Sequence, residues 1–210
     1  MPIRVGEVTI GGEAPVVIQS MTNTATTDVR ATLEQVNKLF TAGCEIVRVA
    51  VPDAKAARAL GVLKKYAPLP IIADIHFDYR LALLSIREGA DKIRINPGNI
   101  GGREKLLQVA DSAGEKGIPL RIGVNSGSIE RELRTKYGGP TAEALVESAL
   151  QTIDLLERHA FKHIIVSLKA TDVKLTIAAY QEMAKKTLYP FHIGITEAGR
   201  GLKGAIKSSL

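Results

Sequence analysis

The sequence predicts an α/β protein built as a TIM-type (β/α)8 barrel, incomplete here, with about seven βα units and the eighth strand missing. Two observations carry that expectation. Short β-branched apolar runs alternate strictly with longer segments of helical spacing, the signature of a parallel sheet covered by helices. Polar residues also recur at the ends of those runs, at Gln19, Arg48, Asp74, Arg94, Arg121, Lys169 and Glu197, with a usual step of about twenty to thirty residues. A doubly wound sheet concentrates its site at one switch point, and no G-x-G-x-x-G follows the first strand. A barrel instead mounts functional groups on the carboxyl ends of many strands, so the barrel is favoured.

The elements follow in order. The alternating stretch IRVGEVTI, ending in GG, predicts an N-terminal hairpin. Strands are predicted over 16–21, 45–51, 70–75, 92–95, 120–124, 163–168 and 191–195. Helices are predicted over 28–42, 53–66, 79–88, 103–116, 142–159, 173–186 and 200–209. Thr27-Asp28 and Pro52-Asp53 supply N-terminal caps, and Gly43 and Gly89 close C-terminal ends. SGSIERELRTKYGGP, inserted before the fifth helix, is expected as an exposed loop, and long loops at this end of a barrel often act as lids. With seven units, the sheet would keep two unpaired edges, which isolated proteins avoid, so the chain is expected to be part of something longer.

Composition narrows the function. The chain can bury one substantial core, and its 45% hydrophobic and 24% charged residues are ordinary for a globular protein. A net charge of +6 favours anionic partners without naming the anion. Nucleic acid is not expected, because there is no compact Lys/Arg run and only five tyrosines, four phenylalanines and no tryptophan to stack bases. A single cysteine, Cys44, excludes a disulfide framework and any all-cysteine zinc or iron–sulfur site within this chain. The start MPIRVGEVTIGG has no apolar h-region, and no run is long enough to cross a bilayer, so a cytoplasmic protein without a membrane partner is expected.

Period-two alternation places Asp74 with His76, Arg94 with Asn96, Ser167 with Lys169, and Arg121 with Asn125 on common faces. Arg48 occupies the equivalent place on the second strand. Three arginines and a lysine facing one cavity repel each other unless an anion is present, and arginine forks suit phosphate oxygens. NPGNIGG adds backbone amides at a helix N-terminus. Together these point to a diphosphate or bisphosphate ligand. One strand-end arginine is as readily explained by pairing with a helix carboxylate; four in the same place are not. Asp74 and His76 could ligate a metal, but no second cluster completes the set and no metal site is expected. His159 and His163 read as surface residues, His192 as structural, and Cys44 as a small buried side chain.

QSMTNT from Gln19, VRVAVP from Val47, ADIHFDYRLAL from Ala73, KIRINPGNIG from Lys92, RIGVNSGS from Arg121, SLKATD from Ser167, and HIGITEAG with GAIKSS from His192 appear in that order. In these motifs the chain resembles the bacterial 4-hydroxy-3-methylbut-2-enyl diphosphate synthase family along essentially its whole length. It departs from the family at Thr171, where serine is more usual after SLKA. The resemblance implies a methylerythritol-phosphate isoprenoid pathway enzyme. Such an enzyme reductively opens 2-C-methyl-D-erythritol 2,4-cyclodiphosphate and removes a hydroxyl, giving 4-hydroxy-3-methylbut-2-enyl diphosphate.

It further implies electrons from flavodoxin or ferredoxin through a [4Fe–4S] cluster. Arg48, Arg94, Arg121 and Lys169 match the family's diphosphate-binding cations. Asn96, Asn125, Asp74, His76, Ser167 and Thr196 match its substrate-contacting positions, with Asp74 and His76 beside the chemistry. Glu197 matches an acid that handles protons near the leaving hydroxyl. In the family an eighth strand follows GAIKSS, and then a smaller domain whose three cysteines and glutamate hold the cluster and close the barrel of the other subunit of a homodimer. Residues 1–210 are therefore expected to be the truncated substrate-binding barrel without its iron–sulfur domain, binding no cluster alone and turning nothing over. The alternatives are a dihydropteroate-synthase-like barrel transferase, which would leave SLKAT and TEAG unexplained, and a non-catalytic barrel that binds phosphorylated metabolites.

Overall fold

The computed structural model describes residues 1–195, 197–199, 201, 202, 204 and 206. The chain opens with an antiparallel hairpin, β1 (Ile3–Val5) and β2 (Val8–Ile10). Six parallel strands follow, hydrogen-bonded in chain order: β3 (Gln19–Met21), β4 (Ile46–Ala50), β5 (Ile71–Asp74), β6 (Lys92–Ile95), β7 (Leu120–Asn125) and β8 (Ile164–Lys169). Between them run α1 (Val29–Thr41), α2 (Ala54–Tyr66), α3 (Tyr79–Arg87), α4 (Arg103–Lys116), α5 (Arg131–Tyr137) and α6 (Ala142–Arg158), with α7 (Val173–Ala184) after β8.

Strict alternation within each strand sorts the two faces of the sheet. Val47, Ile71, Ile93, Ile122 and Val166 point outward and are buried against the helices in one continuous core. Their neighbours point into the lumen. At its lower end Ile46, Ile72 and Ile165 pack with Ile3 and Val5 of the hairpin, which closes the amino end of the lumen with an apolar floor. Each side chain so buried contributes roughly 1.5–3 kcal/mol. Above that floor the inward positions turn polar, beginning with Gln19 and Lys92 at the first residues of β3 and β6.

Helix starts follow local side-chain chemistry. Asp28 accepts from the Ala31 amide at 3.0 Å and Asp53 from Ala56 at 2.8 Å, as the sequence leads one to expect. Caps of this kind are worth about 1 kcal/mol each. Gly43 (φ +88°) and Gly89 (φ +91°) follow the ends of α1 and α3 in the left-handed region.

Three expectations are corrected. The first strand is shorter than 16–21, because Val16 and Ile18 are exposed at the sheet edge and only 19–21 join the ladder. The seventh strand contracts to one parallel bridge, Val166 to Phe191, flanked by bonds from the Val166 amide to the Pro190 carbonyl and from the His192 amide to Val166. Among the described residues no strand lies on its far side, so Ile193 stays exposed. The insertion after β7 is not an open loop: a 3-10 turn over Ser126–Ser128 leads into α5, and Ile129 between them and Leu133 on α5 are buried. The helix predicted over 200–209 falls mostly outside the described residues.

Candidate anion-binding site

Register brings the inward charges side by side. Asp74 on β5 lies opposite Arg94 on β6, and Arg94 lies opposite Arg121 on β7. Arg94 Nη1 donates to Asp74 Oδ1 at 2.9 Å. Arg48 Nε and His76 Nε2 each stand 3.5 Å from the other carboxylate oxygen. Asp74 is 2% exposed, so two guanidinium groups and an imidazole share one buried carboxylate. The acid that Arg48 and Arg94 pair with is a strand-end residue, not a helix carboxylate. Gly123 makes this packing possible, since a Cβ there would sit 3.3 Å from Arg94 Nε.

Arg121 is the second residue of β7, deeper than a strand end, and 1% exposed. Its Nη2 donates to Ser167 Oγ at 2.9 Å, while its Nε and Nη1 have no protein partner. The Nε groups of Arg48 and Arg94 are likewise buried without a hydrogen bond, because the 3.5 Å approach of Arg48 to Asp74 is not a well-formed one. An unsatisfied buried donor costs about 1–3 kcal/mol, and more when charged. Four such N–H groups pointing into one lumen form a binding surface for acceptor oxygens.

The electrostatics agree. Burial pushes the Lys169 amine down to about 7, with Arg121, Arg48 and Arg94 adding repulsion and Asp74 opposing. Lys92 is also pushed down to about 7, by burial first, then by Arg121 and Arg48. Burial and the same arginines weaken the hold of Arg121 and Arg48 on their protons, although a guanidinium stays charged over the working range. Burial and four of these cations drive His192 far below the usual imidazole value, so its ring is neutral. Arg48, Lys92, Arg94, Arg121 and Lys169 thus face a lumen in which Asp74 is their one ion-paired acid among the described residues.

The remaining predicted residues divide. Lys169 packs against Gly194, where a Cβ would meet Nζ at 3.0 Å, and lies opposite Asn125 in register. Asn96 is buried and its amide is engaged: Nδ2 donates to Ser128 Oγ at 2.9 Å and Oδ1 accepts from the Gly98 amide at 3.1 Å. Asn96 therefore clasps the β6–α4 and β7–α5 loops. Glu197 stands on an exposed turn at φ +56°. Thr196 lies outside the described residues. Sequence reasoning missed Lys92, Ser128 and Tyr180, whose hydroxyl accepts from the Leu168 amide at 3.1 Å and donates to the His192 carbonyl at 2.6 Å. Counting back two from Arg94 would have found Lys92.

No group of three or more His, Cys, Asp or Glu is placed to hold a metal among the described residues. Cys44, the one cysteine, is buried in the apolar core with Sγ 3.1 Å from the Ile46 carbonyl. With a single cysteine in its sequence, the chain cannot offer the several thiolates that an iron–sulfur cluster takes. No helix among the described residues is long and apolar enough to cross a membrane.

The fold and the lumen define the class: a TIM-type barrel domain with a cationic interior. The chain belongs to the GcpE TIM-barrel domain family, which matches residues 1–210. It is 53% identical over 208 residues to the 4-hydroxy-3-methylbut-2-en-1-yl diphosphate synthase (flavodoxin) of Ruminiclostridium cellulolyticum, covering 99% of this chain and 59% of that protein. Proteins of the same name from Geobacillus thermodenitrificans and Bacillus subtilis are each 57% identical, with 56% and 55% of their lengths covered. The chain thus spans little more than half of the curated relatives it matches. Among solved structures, type I 3-dehydroquinate dehydratase from Clostridium difficile superposes with a TM-score of 0.72 at 14% identity, over 99% of this chain and 83% of that one. Yersinia pestis dihydropteroate synthase gives 0.57 at 13%, over 88% and 69%. These two show a shared fold.

Proposed function

We propose that this chain is the substrate-binding barrel of a flavodoxin-dependent 4-hydroxy-3-methylbut-2-en-1-yl diphosphate synthase. The observation that supports it best is the set of buried guanidinium N–H groups on Arg48, Arg94 and Arg121 that lack acceptors. A cyclic diphosphate supplies those acceptors and the negative charge together. Arg48, Arg94, Arg121 and Lys169 hold the diphosphate, with Ser167 orienting Arg121. Asn125 and His76 stand at the mouth, and Asn96 shapes it through Ser128. Asp74 holds Arg48 and Arg94 in place until the ligand arrives.

Glu197 is assigned the proton for the departing hydroxyl. Its left-handed backbone, unusual for a residue with a Cβ, is the kind of local strain that clusters at reacting sites. The [4Fe–4S] cluster that the resemblance implies is not held by this chain, so the reducing electrons enter through groups it does not supply. The complete enzyme is a homodimer in this reading, with ferredoxin as an alternative donor. A pterin-binding barrel has only the shared fold in its favour.

Titration of this chain with 2-C-methyl-D-erythritol 2,4-cyclodiphosphate tests the assignment. Arg94→Ala and Arg121→Ala should each weaken binding about thirtyfold or more, the equivalent of about 2 kcal/mol. Unaltered affinity in both would sink it. In a complete enzyme, Glu197→Gln should cut turnover and largely spare binding; a normal rate removes its proton role.

A further inference from the structure

Lys92 has no part in the reading above, yet it is completely buried. It is the first residue of β6, two residues below Arg94 on the same inward face, with the apolar floor beneath it. Its one hydrogen bond runs from Nζ to Gln19 Oε1 on β3, at 3.2 Å across the lumen. The charged and titratable groups around it are Arg121 on β7 and Arg48 on β4, which both bear on its charge, Arg94 two residues along its own strand, and His192 beyond β8. On β5 its register partner is the apolar Ile72, and the nearest carboxylate of that strand, Asp74, is already shared by Arg48 and Arg94. No acid among the described residues pairs with Lys92. A buried ammonium in that company is costly, whereas a neutral amine that accepts or donates one hydrogen bond is not.

We propose that Lys92 is the deep end of the anion site and takes up a proton from solvent as the anion enters. This rests on the lumen being the anion site. Above neutral pH the free chain holds Nζ mostly as an amine; the incoming oxygens supply the negative charge that makes the ammonium favourable, and the proton comes from water or buffer. Anion binding and protonation of Lys92 are then linked, each strengthening the other by the same factor. The free amine titrates near 7, so uptake is small below neutral pH and grows above it, and affinity falls as pH rises. Lys169, nearer the mouth and pushed down by the same arginines, behaves in parallel and supplies an internal comparison.

Pyrophosphate is the probe. In the 210-residue chain with 13C-labelled lysines, the Lys92 Cε resonance, assigned with Lys92→Arg, should titrate near neutrality without anion. With pyrophosphate bound its midpoint should rise by about one pH unit or more, which corresponds to roughly tenfold linkage. Calorimetry at about pH 8.5 in two buffers of different ionisation enthalpy counts the protons taken up, and Lys92→Met should lower that count by about 0.2 for a one-unit rise of the midpoint and by nearly one for a rise of about three units. The ligand's own protons cancel in the comparison. A Lys92 midpoint near the ordinary lysine value, a midpoint that bound pyrophosphate does not move, or equal uptake in both proteins would overturn the proton role and leave the anion site standing. Failure of pyrophosphate to bind at all would overturn the anion site and this inference together. If Lys92→Met does not fold, the midpoint in the unaltered chain decides.

Discussion

Asp74 shows how one carboxylate organises a cationic lumen. Its two oxygens are divided between Arg94 and Arg48, and its removal leaves both arginines buried without a counter-charge. Asp74→Asn should therefore lower the Tm of the ligand-free chain, and pyrophosphate should raise the variant's Tm by more than it raises that of the unaltered protein. Equal shifts in a thermal melt would argue against the shared-carboxylate account. Gly123 makes the complementary point about space: with a side chain there, Arg94 Nε must move from 3.3 Å contact. Gly123→Val should weaken pyrophosphate binding about tenfold by titration, with Arg94→Ala adding little on top because both changes act on one group. At this scale the faces were legible in the residues, since period-two alternation put Arg48, Asp74, Arg94 and Arg121 inward. Which of them pair, and that Lys92 joins them below, depends on register between strands distant in sequence.

Between elements, a few side chains carry the connections. Tyr180 on α7 ties β8 to the segment after it by holding both the Leu168 amide and the His192 carbonyl. Tyr180→Phe leaves two buried backbone groups unsatisfied and should cost about 1–3 kcal/mol in denaturant melts. The loss should appear locally as faster hydrogen exchange at the His192 amide, which bonds to Val166. α5 is the element that sequence reasoning misjudged. The glycines flanking it and its own charges suggest solvent, but Ile129 just before it and Leu133 on it are buried, and Lys136 and Tyr137 both reach Glu147 on α6. Leu133→Ala should cost about 2–4 kcal/mol, where an open loop would tolerate it within about 0.5 kcal/mol. The apolar spacing was visible in IERELRTKY; the partner that makes a helix of it, α6, was not.

For the molecule as a whole, the lumen stores electrostatic work. Lys92 and Lys169 titrate near 7 when folded and near the ordinary lysine value when unfolded. Between those values the unfolded chain binds more protons, so stability rises with pH and is lost as pH falls toward the folded values. The ligand-free chain should melt at higher temperature at about pH 9 than at about pH 7, and saturating pyrophosphate should flatten that slope. A Tm that falls over the same interval without anion would contradict it.

By itself the sequence determined the order of strands and helices, the caps at Asp28 and Asp53, the inward placement of the cations and the family motifs. Each of these is written in near neighbours: period-two and helical spacing, and the reach of an aspartate over three residues. Only the tertiary structure decided that the seventh strand is a single bridge, that Asn96 is spent on Ser128, that the hairpin floors the lumen, and that Asp74 serves two arginines. Those outcomes are set by contacts between residues remote in sequence, where register and the curl of the sheet choose which partners meet.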